Sequence, residues 1–516
     1  MKRITTAIAL FSIASAAICN VALCQAPPAR PQAPVEPPPL SGPVIKIKQG
    51  MAQGFVKDDV NVFRGLPFAA PPVGELRWRE PQAPAKWQDT RPANAFGGSC
   101  NQAEDCLYLN VTRPANASEK SKLPVIMWIH GGAFAVGSGA ADGAQFAKQG
   151  VILVGINYRL GRAGWFAHPA LTRENPKGLL GNYGLMDQVA ALEWIQDNIQ
   201  KFGGDKNNVT IAGGSAGAIS VNYLMLAKQA RGLFHKAISQ SGFGRTYAQP
   251  LHTDDDKPSV EKLGAAFAER AGVKGEDAAA AKALRDLPFA ELSRSAGGVG
   301  SPDQPRPMAD GKLVRATAAE GFAKKQQAAV PFMLGGNSDE ASLTRRNTNA
   351  VERLAAIKDQ REVFLAVFDP NKTGDAERII ARLITDQSIS EPNRALARMH
   401  AARGAPVFVY HFSYVPAATR ATSFGMPHAA ETAYVFNSPR AGTPFDDEGK
   451  AIAQAANRYW AAFAKTGDPG SAGGARWPKF DTADEALLEF GHDGVPAVRK
   501  HFDAARLYWV ERALAK

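Results

Sequence analysis

Residues 213–217 read Gly213-Gly214-Ser215-Ala216-Gly217, inside the run NNVTIAGGSAGAISVNYL that spans 207–224. The β-branched NVTIAG reads as a strand, and AGAISVNYLML as the start of a helix. One serine flanked by glycines therefore stands at a strand-to-helix corner. That is the context a G-x-S-x-G nucleophile needs. Cβ atoms at the flanks of so tight a turn would collide. The serine accepts backbone strain and gains an exposed hydroxyl at a helix N-terminus, where the dipole favours negative charge. The bland alternative is a packing turn, and the rest of the chain decides between them.

Working outward, LPVIMWIH (123–130), VILVGINYRL (151–160), HKAISQSG (235–242), VPFMLGGN (330–337) and PVFVYHFSY (406–414) are short apolar runs rich in β-branched or aromatic residues. Helical stretches lie between several of them. In GLMDQVAALEWIQDNIQKF (184–202), Leu185, Val189, Leu192, Ile195 and Ile199 recur at spacings of three and four, which predicts an amphipathic helix. SVEKLGAAFAERAGV (259–273) and AIAQAANRYWAAFAKTG (451–467) read likewise. Near-continuous apolar strands alternating with helices predict an α/β fold, a central mostly parallel sheet covered on both faces. No internal repeat is found. Residues 250–330 and 340–400 are helical, Ala-rich and weakly patterned, as expected of insertions that form a lid or pocket region.

A serine hydroxyl needs a base to take its proton, and the base needs a carboxylate to orient it. In α/β-hydrolases the chain order is Ser, acid, His. The next convincing strand, VPFMLGGNSDEAS (330–342), ends on Asp339 and Glu340, where ligands bind in open α/β sheets. Spacing does not choose between the two, and either could simply serve a helix N-terminus. Five histidines follow. His400 lies on a helix, His411 within a strand, and His501 in a charged terminal segment. His428 lies in a Gly/Pro loop, SFGMPHAAETAYVF (423–436), soon after a strand, and His492 follows another strand in LLEFGHDG (487–494). Position favours His428 and keeps His492 as the alternative. In MWIHGGAFAVGSG (127–139), a strand leads into Gly131, Gly132 and Ala133, whose missing or small side chains let backbone N–H groups approach a developing oxyanion. The N–H of Ala216, after the serine, completes the hole.

The chain has 516 residues, 45% hydrophobic and 21% charged, a globular composition with ample length for a large core. It opens with MKR and then ITTAIALFSIASAAICNVALC (4–24), the layout of a secretory signal peptide over residues 1–24. Ala22-Leu23-Cys24 places the mature start near Gln25. Cys24 could instead carry a lipid, although Leu23 before it matches that pattern poorly. The Pro-rich linker, residues 25–43, is a stiff, extended tether. The catalytic domain is expected over 44–516. No apolar run of membrane-spanning length occurs in the body. The secreted or periplasmic chain carries a formal charge of +11, or +9 once Lys2 and Arg3 leave with the signal. Its Lys and Arg are scattered rather than clustered with aromatics, which argues against a nucleic-acid partner. Cys100 and Cys106 are the only cysteines in the body, and export would allow a disulfide between them. No metal site is expected there, since no other cysteine and no nearby histidine is available.

Taken together, the segments resemble the type-B carboxylesterase and cholinesterase-like family of α/β-hydrolases over nearly all of 44–516. The resemblance rests on VFRGLPFAAPPVGELRW (62–78), EDCLYLNVTRP (104–114), WIHGGAFAVGS (128–138), INYRLG (156–161), the 181–217 segment ending in GGSAG, FHKAISQSG (234–242), GGNSDEAS (335–342), HAAETAYVF (428–436) and YWAAFAKTGDP (459–469). It implies Ser215 as nucleophile, Glu340 rather than Asp339 as acid, and His428 as base. It also implies an oxyanion hole of Gly132, Ala133 and Ala216, with Ala133 where the family has Gly. Two departures speak against a choline-ester specialist. Only NQAED separates Cys100 from Cys106, so the long loop whose tryptophan binds a cationic choline in cholinesterases is missing. Gly214 stands where cholinesterases typically have Glu.

The expected activity is hydrolysis of neutral carboxylic esters, of short to medium acyl chain, without metal or organic cofactor. The expected enzyme is a monomer or small homo-oligomer whose partner is its small-molecule ester. Rival readings keep the chemistry and change the substrate, to a lipase, thioesterase, lactonase or amidase. Another rival removes the chemistry and leaves a cholinesterase-like binding module.

Overall fold

The computed structural model describes residues 36–245, 248–293, 304–358, 360–439 and 445–514. The expected signal peptide, Cys24 and most of the linker lie outside the described residues. The compact unit begins at Pro38.

Its centre is an eleven-stranded sheet. In chain order the strands are β1 (Phe55–Lys57), β2 (Val60–Pro67), β3 (Tyr108–Pro114), β4 (Leu123–Ile129), β5 (Ile152–Ile156), β6 (Gly204–Gly214), β7 (Lys236–Gln240), β8 (Phe332–Asn337), β9 (Val407–Phe412), β10 (Leu487–Phe490) and β11 (Ala497–Arg499). In space the order is β11-β10-β9-β8-β7-β6-β4-β5-β3-β2-β1. The run from β10 to β5 is parallel throughout. Antiparallel strands close both edges: β11 on one side, and β3, β2 and β1 on the other. The α/β architecture expected from the apolar runs is the one observed.

Those runs are apolar at every position because both faces of the sheet are covered. Along β4, Met127 and Ile129 enter one core while Ile126 and Trp128 enter the other. Along β9, Val407 and Val409 alternate in the same way with Phe408 and Tyr410. The first core is built on helix α1 (Tyr183–Asn198), which contributes Leu185, Leu192, Trp194 and Ile195. The second is built on the long helix Asp447–Thr466, with Tyr459, Trp460 and Phe463. Helix α1 departs from its expected amphipathic character. It is buried almost all round, Asp187 and Gln188 included, with Glu193 and Asp197 left facing solvent. Arg159, also buried, grips Asp187 with two nitrogens and so satisfies its charge.

The segments read as insertions are helical: Val260–Arg270, Ala278–Asp286 and Phe289–Ser293, then Ala350–Ala356 through Glu391–Ala401. They leave the sheet at the C-terminal ends of β7 and β8, which is the edge where the candidate site lies.

Candidate active site

The parallel strands end in register. Ile129 pairs with Gly213, and Gly214 with Gln240. Gln240 in turn pairs with Gly335. The residues that come next, at 130–134, 215–217, 241–243 and 338–342, therefore meet along one edge.

Ser215 occupies the corner between β6 and helix α2 (Ala216–Leu224), with φ +56° and ψ −121°. A non-glycine residue with such a φ is strained by about 1–3 kcal/mol, and the fold over-determines it. Its N–H donates to Gln240 O at 2.8 Å, which ties the corner to β7. The glycines around it are required by close approach. A Cβ on Gly217 would lie 2.0 Å from Ile129 O, and one on Gly213 would lie 2.5 Å from Gly217 C. Gly214 differs, since its nearest neighbour would be the Trp128 ring at 3.7 Å. The position immediately before the serine has room for a side chain.

His428 Nε2 lies 2.8 Å from Ser215 Oγ. Its Nδ1 forms a short hydrogen bond to Glu340 Oε2. A carboxylate oxygen accepts, so Nδ1 carries the hydrogen and Nε2 is free to accept from the serine. Glu340 Oε1 accepts from Ser241 Oγ at 2.6 Å and from Asn337 N at 2.6 Å. The backbone N–H of His428 donates to Ser342 Oγ at 2.8 Å, which holds the histidine loop against the acid segment. Asp339 turns the other way and pairs with Arg345 at 2.8 Å. Of the two carboxylates that spacing left open, Glu340 lies against His428 and Asp339 does not.

The other histidines stand elsewhere. His492 accepts from Val415 N at 3.3 Å. His400 is buried and bonds Val330 O at 2.8 Å. His411, in β9, packs on Phe502.

The loop after β4 approaches the serine closely. A Cβ on Gly131 would lie 3.0 Å from Ser215 Cβ. Gly132, Ala133 and Phe134 follow with φ of +100°, +53° and +60°. Ala216 opens helix α2, where its N–H has no intrahelical acceptor. The loop is pinned by His130, whose Nδ1 bonds Gly131 O at 2.8 Å and whose ring stacks on Tyr158. Burial pushes the His130 pKa down to about 4 despite that bond, so its ring is neutral at ordinary pH. Gly137, at φ +117°, has no room for a Cβ against His130 Nδ1.

Two residues had no assigned place in the sequence reading. Ser241, next to last in the FHKAISQSG segment, has φ +58° and donates to Glu340. Glu431 follows His428 by three residues and is fully buried. It accepts from Asn337 Nδ2 at 2.5 Å and from Gln240 Nε2 at 3.1 Å, and Gln240 is held in turn by Trp460 Nε1. Position one past a parallel strand was the signal for Ser241. Glu431 gave none, because its partners lie far off in the chain.

Burial lowers the pKa of His428, but the charge and hydrogen bond of Glu340, with the further charge of Glu431, outweigh it and leave the pKa above its ordinary value. Burial raises the pKa of Glu431, and the Glu340 charge raises it further, against the hydrogen bonds from Asn337 and Gln240.

Cys100 and Cys106 are bonded to each other. Their short loop touches the rear of the glycine loop. Asn157 Nδ2 donates to Cys106 O at 2.9 Å, and its Oδ1 accepts from Gly139 N at 2.7 Å.

Comparison with known proteins shows the family of the chain. The family model described as "Carboxylesterase family" matches residues 41–369 and 357–508. Fumonisin B1 esterase of Sphingopyxis macrogoltabida is 34% identical over 488 residues, covering 87% of this chain and 86% of its own. The medium-chain fatty acyl-CoA hydrolase precursor of Anas platyrhynchos is 34% identical over 519 residues, covering 87% and 88%. Among solved structures, the Geobacillus stearothermophilus carboxylesterase EST55 at pH 6.2 superposes with a TM-score of 0.78 at 31% identity, over 90% of this chain and 99% of that one.

Proposed function

The chain belongs to the carboxylesterase family, enzymes that hydrolyse carboxylic esters, and from that premise we propose that Ser215, His428 and Glu340 are its catalytic triad. The observation that carries the proposal is the unbroken line of hydrogen bonds from Ser215 Oγ through the imidazole to Glu340. Ser215 Oγ attacks the ester carbonyl carbon while His428 Nε2 takes its proton. The carbonyl oxygen becomes an oxyanion, received by the N–H groups of Gly132, Ala133 and Ala216. As the C–O bond breaks, His428 returns the proton to the leaving alcohol. Water then attacks the acyl-enzyme, His428 takes its proton and passes it to Ser215 Oγ, and the acid departs. Glu340 keeps the imidazole in the Nδ1–H tautomer and stabilises its positive charge.

The substrates we propose are neutral esters of short to medium acyl chain. Initial rates on p-nitrophenyl esters from acetate to palmitate, with Ser215→Ala alongside, test both parts. Wild-type rates highest on short or medium chains, with loss of turnover in the variant, are expected. A variant near wild-type rate overturns the triad, and rates rising towards palmitate move the substrate class to a lipase. A second reading, thioester hydrolysis, draws on the relative named as a fatty acyl-CoA hydrolase, and octanoyl-CoA in the same assay tests it.

We propose further that the enzyme works outside the cytoplasm, on the strength of the leading MKR and apolar stretch of residues 1–24. Mass spectrometry of the mature N-terminus should find Gln25 or Ala26. A lipid on Cys24 would convert the free enzyme into an anchored one.

A further inference from the structure

Far along the sheet from the serine, at its antiparallel edge, lies a cavity of about 220 Å³. Val62, Thr112, Phe96 and Ala140 line it, with Lys57 and Asp142 at its charged side. Arg64, from β2, also lines it, and its setting is unusual. Its guanidinium carbon lies 4.1 Å from the centroid of the Phe96 ring and 4.8 Å from that of Phe55. The rings serve the flat faces of the guanidinium by cation–π contact. They do nothing for its edge, where five N–H donors lie in one plane. Among the described residues those donors have no hydrogen-bond acceptor and the charge has no ion pair.

The guanidinium is half-buried and its unpaired donors stay open to the solvent of the cavity, where a carboxylate can take the place of water. Burial accordingly pulls its pKa below the ordinary arginine value, against the pull of Asp142. Asp142 does not serve as partner, because it is committed to Lys57 Nζ at 2.9 Å and to Ala144 N at 3.0 Å. Lys57 pairs with Asp142 at 2.9 Å and with Asp58 at 3.8 Å, so among the described charged residues lining the cavity Arg64 alone has no ion-pair partner. A planar carboxylate matches the guanidinium edge with two parallel hydrogen bonds and a single negative charge. A phosphate dianion would exceed that charge and face the Asp142 carboxylate. The remaining lining, Val62, Phe96 and Ala140, suits an apolar group on the acid.

We propose that this cavity is a second ligand site, which binds a small monocarboxylic acid edge-on to Arg64 with its apolar part against Phe96 and Val62. The site shares no residue with the triad or the glycine loop. Its wall at Ala140–Asp142 continues the chain directly beyond that loop.

Calorimetric titration of the full chain with benzoate tests the proposal, since benzoate can also occupy the ester site and the reading is the difference between variants. Arg64→Gln is expected to remove one class of benzoate sites, or weaken it at least about tenfold, the loss of one or more charge-assisted hydrogen bonds. Its turnover of p-nitrophenyl acetate should match wild type. Phe96→Ala, at an exposed ring whose loss the fold tolerates, should weaken the same class severalfold and carries the test if the Arg64 variant does not fold. Benzamide, the neutral isostere, should not fill that class. Benzoate binding unchanged in both variants, equal binding of benzamide, or tighter binding of inorganic phosphate at Arg64 would each overturn the assignment.

Discussion

His428 is pulled two ways by its surroundings. Burial opposes its charged form, and two carboxylates favour it, with the net result above the ordinary 6.5. As the proposed base it works only when neutral. Activity should therefore rise as pH increases through the raised value, with the midpoint of the acidic limb of kcat/KM above 6.5. Glu431→Gln removes one of the two negative charges while keeping the shape of its hydrogen-bond site. The limb should then move to lower pH, and a pH–rate profile of the variant measures the displacement. Ser241→Ala removes one of the two hydrogen bonds to Glu340 Oε1. A bond to a charged acceptor is worth about 1.5–3 kcal/mol, so kcat/KM should fall roughly 10- to 150-fold. Restoration by Ser241→Thr would mark the hydroxyl, rather than the packing, as the cause.

At the scale of the element, the glycines of the corner between β6 and α2 are unequal. Gly217→Ala places a methyl 2.0 Å from a strand carbonyl, and turnover and melting temperature should both collapse. Gly214→Ala meets only ordinary van der Waals contact with Trp128, at 3.7 Å, and should keep both. The helix Asp447–Thr466 anchors the second core through Trp460. Trp460→Ala should cost about 3–5 kcal/mol in urea unfolding, and Trp460→Phe much less. These elements were readable because burial on both faces writes a strand as one apolar run. The edge was not. Strand β2 carries Arg64, Gly65 and Pro67 and shifts register between Phe63 and Leu66, so no simple period survives in it. Helix α1 failed the other way, since a helix covered on every side has no polar face, and its buried Asp187 reads as a surface residue until Arg159 is seen to hold it. Ser215 and the glycine loop were legible from local context. The choice of Glu340 over Asp339 needed family resemblance, because both follow the same strand. Glu431 lies 191 residues from Gln240 and 94 from Asn337, beyond the reach of any local pattern.

At the scale of the whole molecule, the Cys100–Cys106 bond closes a very short loop, worth about 2 kcal/mol in the chain-entropy model. Replacing both cysteines by serine should lower stability by about that amount, as thermal unfolding would register. Because Asn157 joins the loop to Gly139, turnover should fall as well. The sheet order also has a consequence in time. Ser215 lies near the middle of the sheet, and its proposed base, His428, arrives 213 residues later, after β7, β8 and β9 have been added on one side. Pairings this distant in sequence form slowly, and a parallel sheet cannot shortcut them through hairpins. During synthesis the serine leaves the ribosome long before the histidine, so a nascent chain shorter than 428 residues lacks the proposed base. A chain threaded unfolded across a membrane would likewise hold the two groups apart. On the proposed triad, reactivity begins only where the segment bearing His428 can fold back on the corner bearing Ser215, which would confine ester cleavage to the compartment of folding without any separate inhibitor.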